Sequence, residues 1–161
     1  MQHGIYIYNM KLEDAIKSNR FISEKQKATI NVLYTGYWLK TNYSANLKKE
    51  DLTVEQFNVL RILRGKHPEQ MCVKDIGSRI IEKSSNVPRI IDRLVTKKLA
   101  KRITSKKDKR ETLVSLTEKG ISILEKANVL TGEVTNGITY LSEEEAQTLN
   151  ELLEKMRMEN P

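Results

Sequence analysis

Residues 84–120 read SSNVPRIIDRLVTKKLAKRITSKKDKRETLVSLTEKG and hold most of the side chains whose types and spacing suit recognition chemistry. Asn86 and Arg89 carry donors and acceptors that fit base edges, an amide for adenine and a guanidinium for guanine. Ser85, Arg93, Lys106 and Lys107 offer hydroxyl or cationic donors suited to phosphate oxygens, which give affinity without sequence information. Arg110 can enter a narrow minor groove, whose negative potential attracts a guanidinium. Asp108, two residues earlier, is placed to turn the chain and hold Arg110. This is hydrogen-bonding and charge recognition of double-stranded DNA, with no bond made or broken.

To act together these groups need a helix beside a projecting loop. Pro88 has no N–H, so it belongs in the first turn of a helix, where amide donors lack partners. Ser85 as N-cap puts Pro88 at the third helical position. Val87, Ile90, Ile91, Leu94 and Val95 then point inward, while Asn86, Arg89, Arg93 and Thr96 share the outward face. Residues 100–104 and 112–116 read as short strands of a hairpin, and its tip, residues 105–110, holds four cations in six residues.

Other helices frame this module. Over about 23–46, Ile30, Leu33, Tyr34, Tyr37 and Trp38 recur at three- and four-residue steps, and Gly36 marks a close helix contact. Thr53 and Gln56 form a capping box for a helix carrying Phe57, Leu60 and Leu63 inward and ending at Gly65. A third helix spans about 73–80 with Ile76 and Ile80 buried, so helix, turn and helix follow in order. Thr117 caps a helix bearing Ile121, Leu124 and Ala127, whose far end Gly132 and Gly137 weaken. Ser142 and three glutamates open the last helix, with Leu149, Leu152, Leu153 and Met156 as its stripe. Residues 1–18 show no clear period and stay open between an arm, a strand and an ordered tail.

Bulk properties agree with a polyanion-binding face. The 161 residues suit one domain, residues 1–161. Net charge is +7, and residues 73–119 alone hold fourteen Lys or Arg against six Asp or Glu. A neutral body thus carries one basic module. No apolar run reaches a membrane span, no secretory signal is visible, and Cys72 stands alone, which together predict a cytoplasmic protein without a membrane partner. Cys72 is expected to be buried and inert. His3 and His67 have no ligand-like spacing, so neither metal nor cofactor is expected, and no catalytic motif is present, so no enzyme.

The segment DKRETLVSLTEKG, Asp108 to Gly120, resembles the wing signature of MarR-type (multiple antibiotic resistance regulator) winged-helix transcription factors, and VPRIIDRLVTKKLAKR resembles their recognition helix leading into the wing. The resemblance covers roughly residues 21–156 and is sharp from about 84 to 120. It implies a mainly α fold with a small β-hairpin wing, a winged helix-turn-helix at about 53–117 and dimerisation helices at about 20–50 and 118–158. It further implies a homodimeric regulator on a pseudo-palindromic operator, commonly a repressor released by a small aromatic effector. Tyr34, Tyr37 and Trp38 are candidates to line that effector's pocket, although such stripes are more often core or dimer interface. Lys98 stands where the family has a helix-ending glycine, which predicts a strained turn, and Pro88 replaces a Thr or Ser donor. The alternative function is a winged helix that binds an acidic protein partner.

Overall fold

Capping chemistry sets most of the helix starts in this chain. The structure, a computed structural model, describes residues 11–82, 86–138 and 140–158. Its elements run α1 (Leu12–Ile16), α2 (Glu24–Leu47), a 3-10 turn (Lys48–Glu50), α3 (Val54–Arg64), β1 (Met71–Cys72), α4 (Val73–Arg79), α5 (Val87–Thr96), β2 (Ala100–Thr104), β3 (Thr112–Leu116), α6 (Glu118–Ile138) and α7 (Glu143–Met156). They form two compact units, one up to Asn42 and one from Tyr43 onward.

In the first unit, α1 is short because Lys17 enters the left-handed region at φ 54° and ends it. Lys27 on α2 reaches back, its Nζ 2.6 Å from the Glu13 carboxylate and 5.6 Å from the Phe21 ring centroid. The Lys27 hydrogen bond holds the Glu13 carboxyl below its ordinary pKa, and the same bond raises that of Lys27. Of the apolar stripe on α2, Ile30 and Tyr34 are half-buried, while Leu33 and Tyr37 are 70% and 71% exposed. A Cβ at Gly36 would meet nothing within 4 Å, so among the described residues this glycine makes no close helix contact, against the expectation. Residues 1–10, with the Ile5–Tyr8 run, lie outside the described residues.

The second unit is built around α3. The Thr53–Gln56 capping box forms as expected: Thr53 Oγ1 accepts from the Gln56 N–H (3.2 Å), and Gln56 Oε1 accepts from the Thr53 N–H (3.3 Å). Val59, Leu60 and Leu63 are buried and pack in one core with Ile76 of α4, Ile91 and Leu94 of α5, Val114 of β3 and Leu124 of α6. Gly65 ends α3 at φ −65°, a backbone any residue adopts, so its left-handed freedom goes unused. α6 runs through Gly132 without a break, and Tyr43 Oη lies 2.5 Å from Thr135 Oγ1, linking the last turns of α2 to α6.

The sheet has the order β1-β3-β2 and is antiparallel throughout. β2 and β3 occupy the expected residues, with Ala100 opposite Leu116 and Thr104 opposite Thr112. β1 is an addition: Met71 and Cys72 pair with Val114 and Leu113. Two residues are too few to show a strand period, so only the pairing partner reveals them.

Ser142 and Glu145 complete a second capping box at α7. No residue of α7 is buried, and Leu149, Leu152 and Met156 remain 42%, 59% and 48% exposed. Among the described residues no helix is long and apolar enough to cross a membrane.

Candidate nucleic-acid interface

Helix α5 supplies one half of the site. Asn86, not Ser85, occupies its N-cap position, which moves Pro88 from the third to the second helical position. Asn86 has φ −98° and ψ 7°, outside the extended region usual for a cap, and its side chain makes no cap hydrogen bond. Ser85 lies outside the described residues. Val87, Ile91 and Leu94 are buried and Ile90 and Val95 half-buried, which leaves Asn86, Arg89, Arg93 and Thr96 exposed on one face as expected.

The far end of α5 is fixed from three directions. Its last turn closes as a Schellman motif: the Leu99 N–H donates to Leu94 O (2.9 Å) and the Lys98 N–H to Val95 O (2.9 Å). That motif needs a left-handed residue, and Lys98 takes φ 62°, so the glycine-like conformation persists with a side chain that disfavours it. The neighbouring carbonyls are then taken by the start of α6. Thr117 donates its N–H to Leu99 O (3.2 Å) and its Oγ1 to Lys98 O (2.8 Å), while Lys119 Nζ donates to Lys97 O (3.2 Å).

Gly120 allows this approach. A Cβ there would stand 2.0 Å from Leu99 O, so the Thr-x-x-Gly spacing that ends the wing signature has a steric cause. The third tether is Lys97, whose Nζ lies 3.0 Å from Asp51 Oδ2, donates to Asp51 O, and lies 3.3 Å from the buried Gln56 Oε1. One cation thereby links the cap of α3 to the end of α5.

The wing supplies the other half. Its loop closes where the Ser105 N–H donates to Glu111 O (2.9 Å). Ser105 is buried, and its Oγ accepts from the N–H groups of Lys107 (3.2 Å) and Asp108 (3.3 Å). Asp108 Oδ1 accepts from the Arg110 N–H (2.9 Å), so the carboxylate shapes the loop by holding the backbone of Arg110. Lys106, Lys107, Lys109 and Arg110 are all exposed around this braced turn. The role of Ser105 escaped the sequence reading, although a serine three residues before an aspartate in a loop is a usable signal.

Arg102 and Cys72 were also missed as structural parts. Arg102 on β2 donates from Nη1 to Asp92 Oδ1 on α5, which bridges the helix and the wing. Cys72 is half-buried, and its Sγ accepts from the Asp75 N–H at 3.4 Å, making it the N-cap of α4 and not the fully buried residue expected. Tyr34 is half-buried and Tyr37 and Trp38 are exposed on α2. Among the described residues no group of three or more His, Cys, Asp or Glu is placed to hold a metal ion.

A helix-turn-helix whose outward face is cationic, followed by a braced basic hairpin, defines a winged-helix DNA-binding domain, and a family model of that description matches residues 52–120. The transcriptional regulator MgrA of Staphylococcus aureus is 31% identical over 126 residues, which span 77% of this chain and 84% of that protein. The chain belongs to the MarR-type family of winged-helix transcriptional regulators, and its function is that of a DNA-binding regulator.

Two solved structures share the fold. A mutant E. coli MarR complexed with operator DNA superposes with a TM-score of 0.73 at 24% identity, over 87% of this chain and all of that one. Bordetella bronchiseptica BpsR, whose DNA binding is regulated by 6-hydroxynicotinic acid, gives 0.72 at 23% identity over 89% of this chain and all of that one.

Proposed function

We propose that this protein is a cytoplasmic repressor that binds a pseudo-palindromic operator as a homodimer, acting by occupancy and not by catalysis. Residues of about 53–117 read the DNA, and the helices at about 20–50 and 118–158 join the two copies. Asn86 and Arg89 meet base edges, Arg110 enters the minor groove from the wing, and Ser85, Arg93, Lys106 and Lys107 meet phosphates. Asp108 serves by shaping the wing under Arg110. The observation that carries this reading is the wing itself, a loop whose buried Ser105 and whose Asp108 order the backbone while every cation of the tip faces solvent.

Two further features support the dimer and the effector. The apolar side chains left exposed on α2 and α7 have the character of an uncovered interface, and aromatic residues are suited to such a role. Tyr37 and Trp38 belong to that uncovered set, with the half-buried Tyr34 one turn away, and a second copy there would wall in a small aromatic ligand.

The test is a set of binding isotherms on duplexes selected from genomic fragments. Arg89→Ala and Arg110→Ala are each expected to cost about 1–3 kcal/mol of operator binding. Wild-type affinity should fall with salt at a log–log slope of about −0.9 per neutralised phosphate, and footprints should show half-sites roughly 10 bp apart. Normal binding by both variants at physiological salt would refute the site, and a footprint on a single half-site would refute the dimer. Repeating the titration with small aromatic acids should release the DNA, and release by none of them would leave a constitutive repressor.

A further inference from the structure

One carboxylate interrupts the cationic surface of α5. Asp92 is exposed and follows Arg89 by three residues, which puts it about 60° around the helix from Arg89, on the side opposite Asn86. Its Oδ1 accepts from Arg102 Nη1 on β2, where Arg102 is paired with Val114 in the sheet register. The two side chains keep 53% and 54% of their surface exposed. A pair so wet contributes little to folding. The recognition helix is already joined to β2 and α6 through Leu99, Thr117 and Lys119, so the ion pair is not needed to dock it. Its placement between the two DNA-contacting parts calls for another explanation.

We propose that Asp92 and Arg102 are a specificity-determining pair: the carboxylate engages one guanidinium of the basic module and so lowers affinity for DNA of arbitrary sequence. This rests on the duplex-binding reading above. Affinity for arbitrary duplex is set by the number of cations free to neutralise phosphates, whereas operator affinity also draws on base contacts. Occupying Arg102 removes one cation from the first count and none of the base-reading groups from the second. The carboxylate also repels phosphate along that flank of α5, which disfavours docked positions that lay the flank against the backbone.

The test compares wild type, Asp92→Asn and the double variant Asp92→Asn/Arg102→Ala on a random-sequence duplex and on a selected operator, across a salt series. Asp92→Asn keeps the side-chain volume and the backbone carbonyl that accepts from Thr96 Oγ1 at 3.0 Å. One added phosphate contact steepens the log–log slope by about 0.9, which amounts to roughly fivefold tighter random-duplex binding at 0.15 M salt relative to a 1 M reference. Operator affinity should rise by less, so that the specificity ratio narrows. The double variant should return to the wild-type salt slope.

Three results would overturn the proposal. In the first, Asp92→Asn binds random duplex with wild-type affinity and slope, and the duplex-binding reading survives. In the second, it loses operator affinity while random-duplex binding holds, which would assign Asp92 to base readout. In the third, wild type binds no duplex even at low salt, and the DNA reading falls together with the pair. Unchanged melting temperatures for both variants establish that the comparison is between folded proteins.

Discussion

Leu60 on α3 and Leu152 on α7 occupy the same kind of position, the apolar stripe of a capped amphipathic helix, yet Leu60 is fully buried and Leu152 is 59% exposed. Around Leu60, α3, α4, α5, the sheet and the start of α6 close one core on themselves. Among the described residues Leu152 finds no such cover, and Leu33 and Tyr37 on α2 stay 70% and 71% exposed. A fully buried leucine is worth about 1.5–3 kcal/mol of burial, which an exposed one has yet to realise. The contrast separates a module that is complete within one chain from helices whose apolar faces await a cover, which the proposed second copy supplies.

The largest expected effect falls on the closed module. Gly120→Ala should destabilise the protein by about 4 kcal/mol or more, because the new Cβ collides with backbone atoms of Leu99 that no rotamer change can move. Thermal unfolding measures this, and a small shift would mean that the α5–α6 junction is looser than its hydrogen bonds indicate. Next comes Leu149→Ala/Leu152→Ala on α7. It should leave the melting of the winged helix nearly unchanged when protein is dilute, yet weaken self-association at least roughly tenfold by analytical ultracentrifugation. An unchanged dissociation constant would remove α7 from the interface and blur the comparison. The smallest effect belongs to Lys98→Gly, which relieves the left-handed residue ending α5. A net gain of about 0.5–1 kcal/mol, after the glycine entropy is subtracted, should raise the melting temperature by about 1–4 °C.

Legibility followed the range of the interactions. The capping box at Thr53 and the cap at Ser142 were readable because the groups involved lie within three residues, while the return bond from Glu145 that completes a box at Ser142 came with the structure. The two wing strands were readable from composition and alternation. The start of α5 was misplaced by one residue because Ser84, Ser85 and Asn86 are all good cap residues in a row. The tie from Lys97 to Asp51 and Gln56 spans more than forty positions and leaves no local trace. Asp92 and Arg102 looked like two more charges in a charged stretch until β2 folded back beside α5.

The strained turn foreseen at Lys98 is instructive in another way. The family resemblance marked the position as glycine-like, and the structure keeps the left-handed backbone because the Schellman bonds and the carbonyl partners on α6 over-determine it. Gly36 shows the reverse. A glycine within a helix suggested close packing, but whether a second helix comes near is decided by elements far away in the chain, and among the described residues none does.

The amino-acid order alone determined roughly where the longer helices and the two wing strands lie, which face of each is apolar, and that the basic charge gathers on one module, since these depend on neighbours a few residues apart. Only the tertiary structure decided which apolar faces find a partner, which cations stay free for a polyanion, and why Gly120 must be glycine, since each depends on chain segments brought together by folding and on the space left between them.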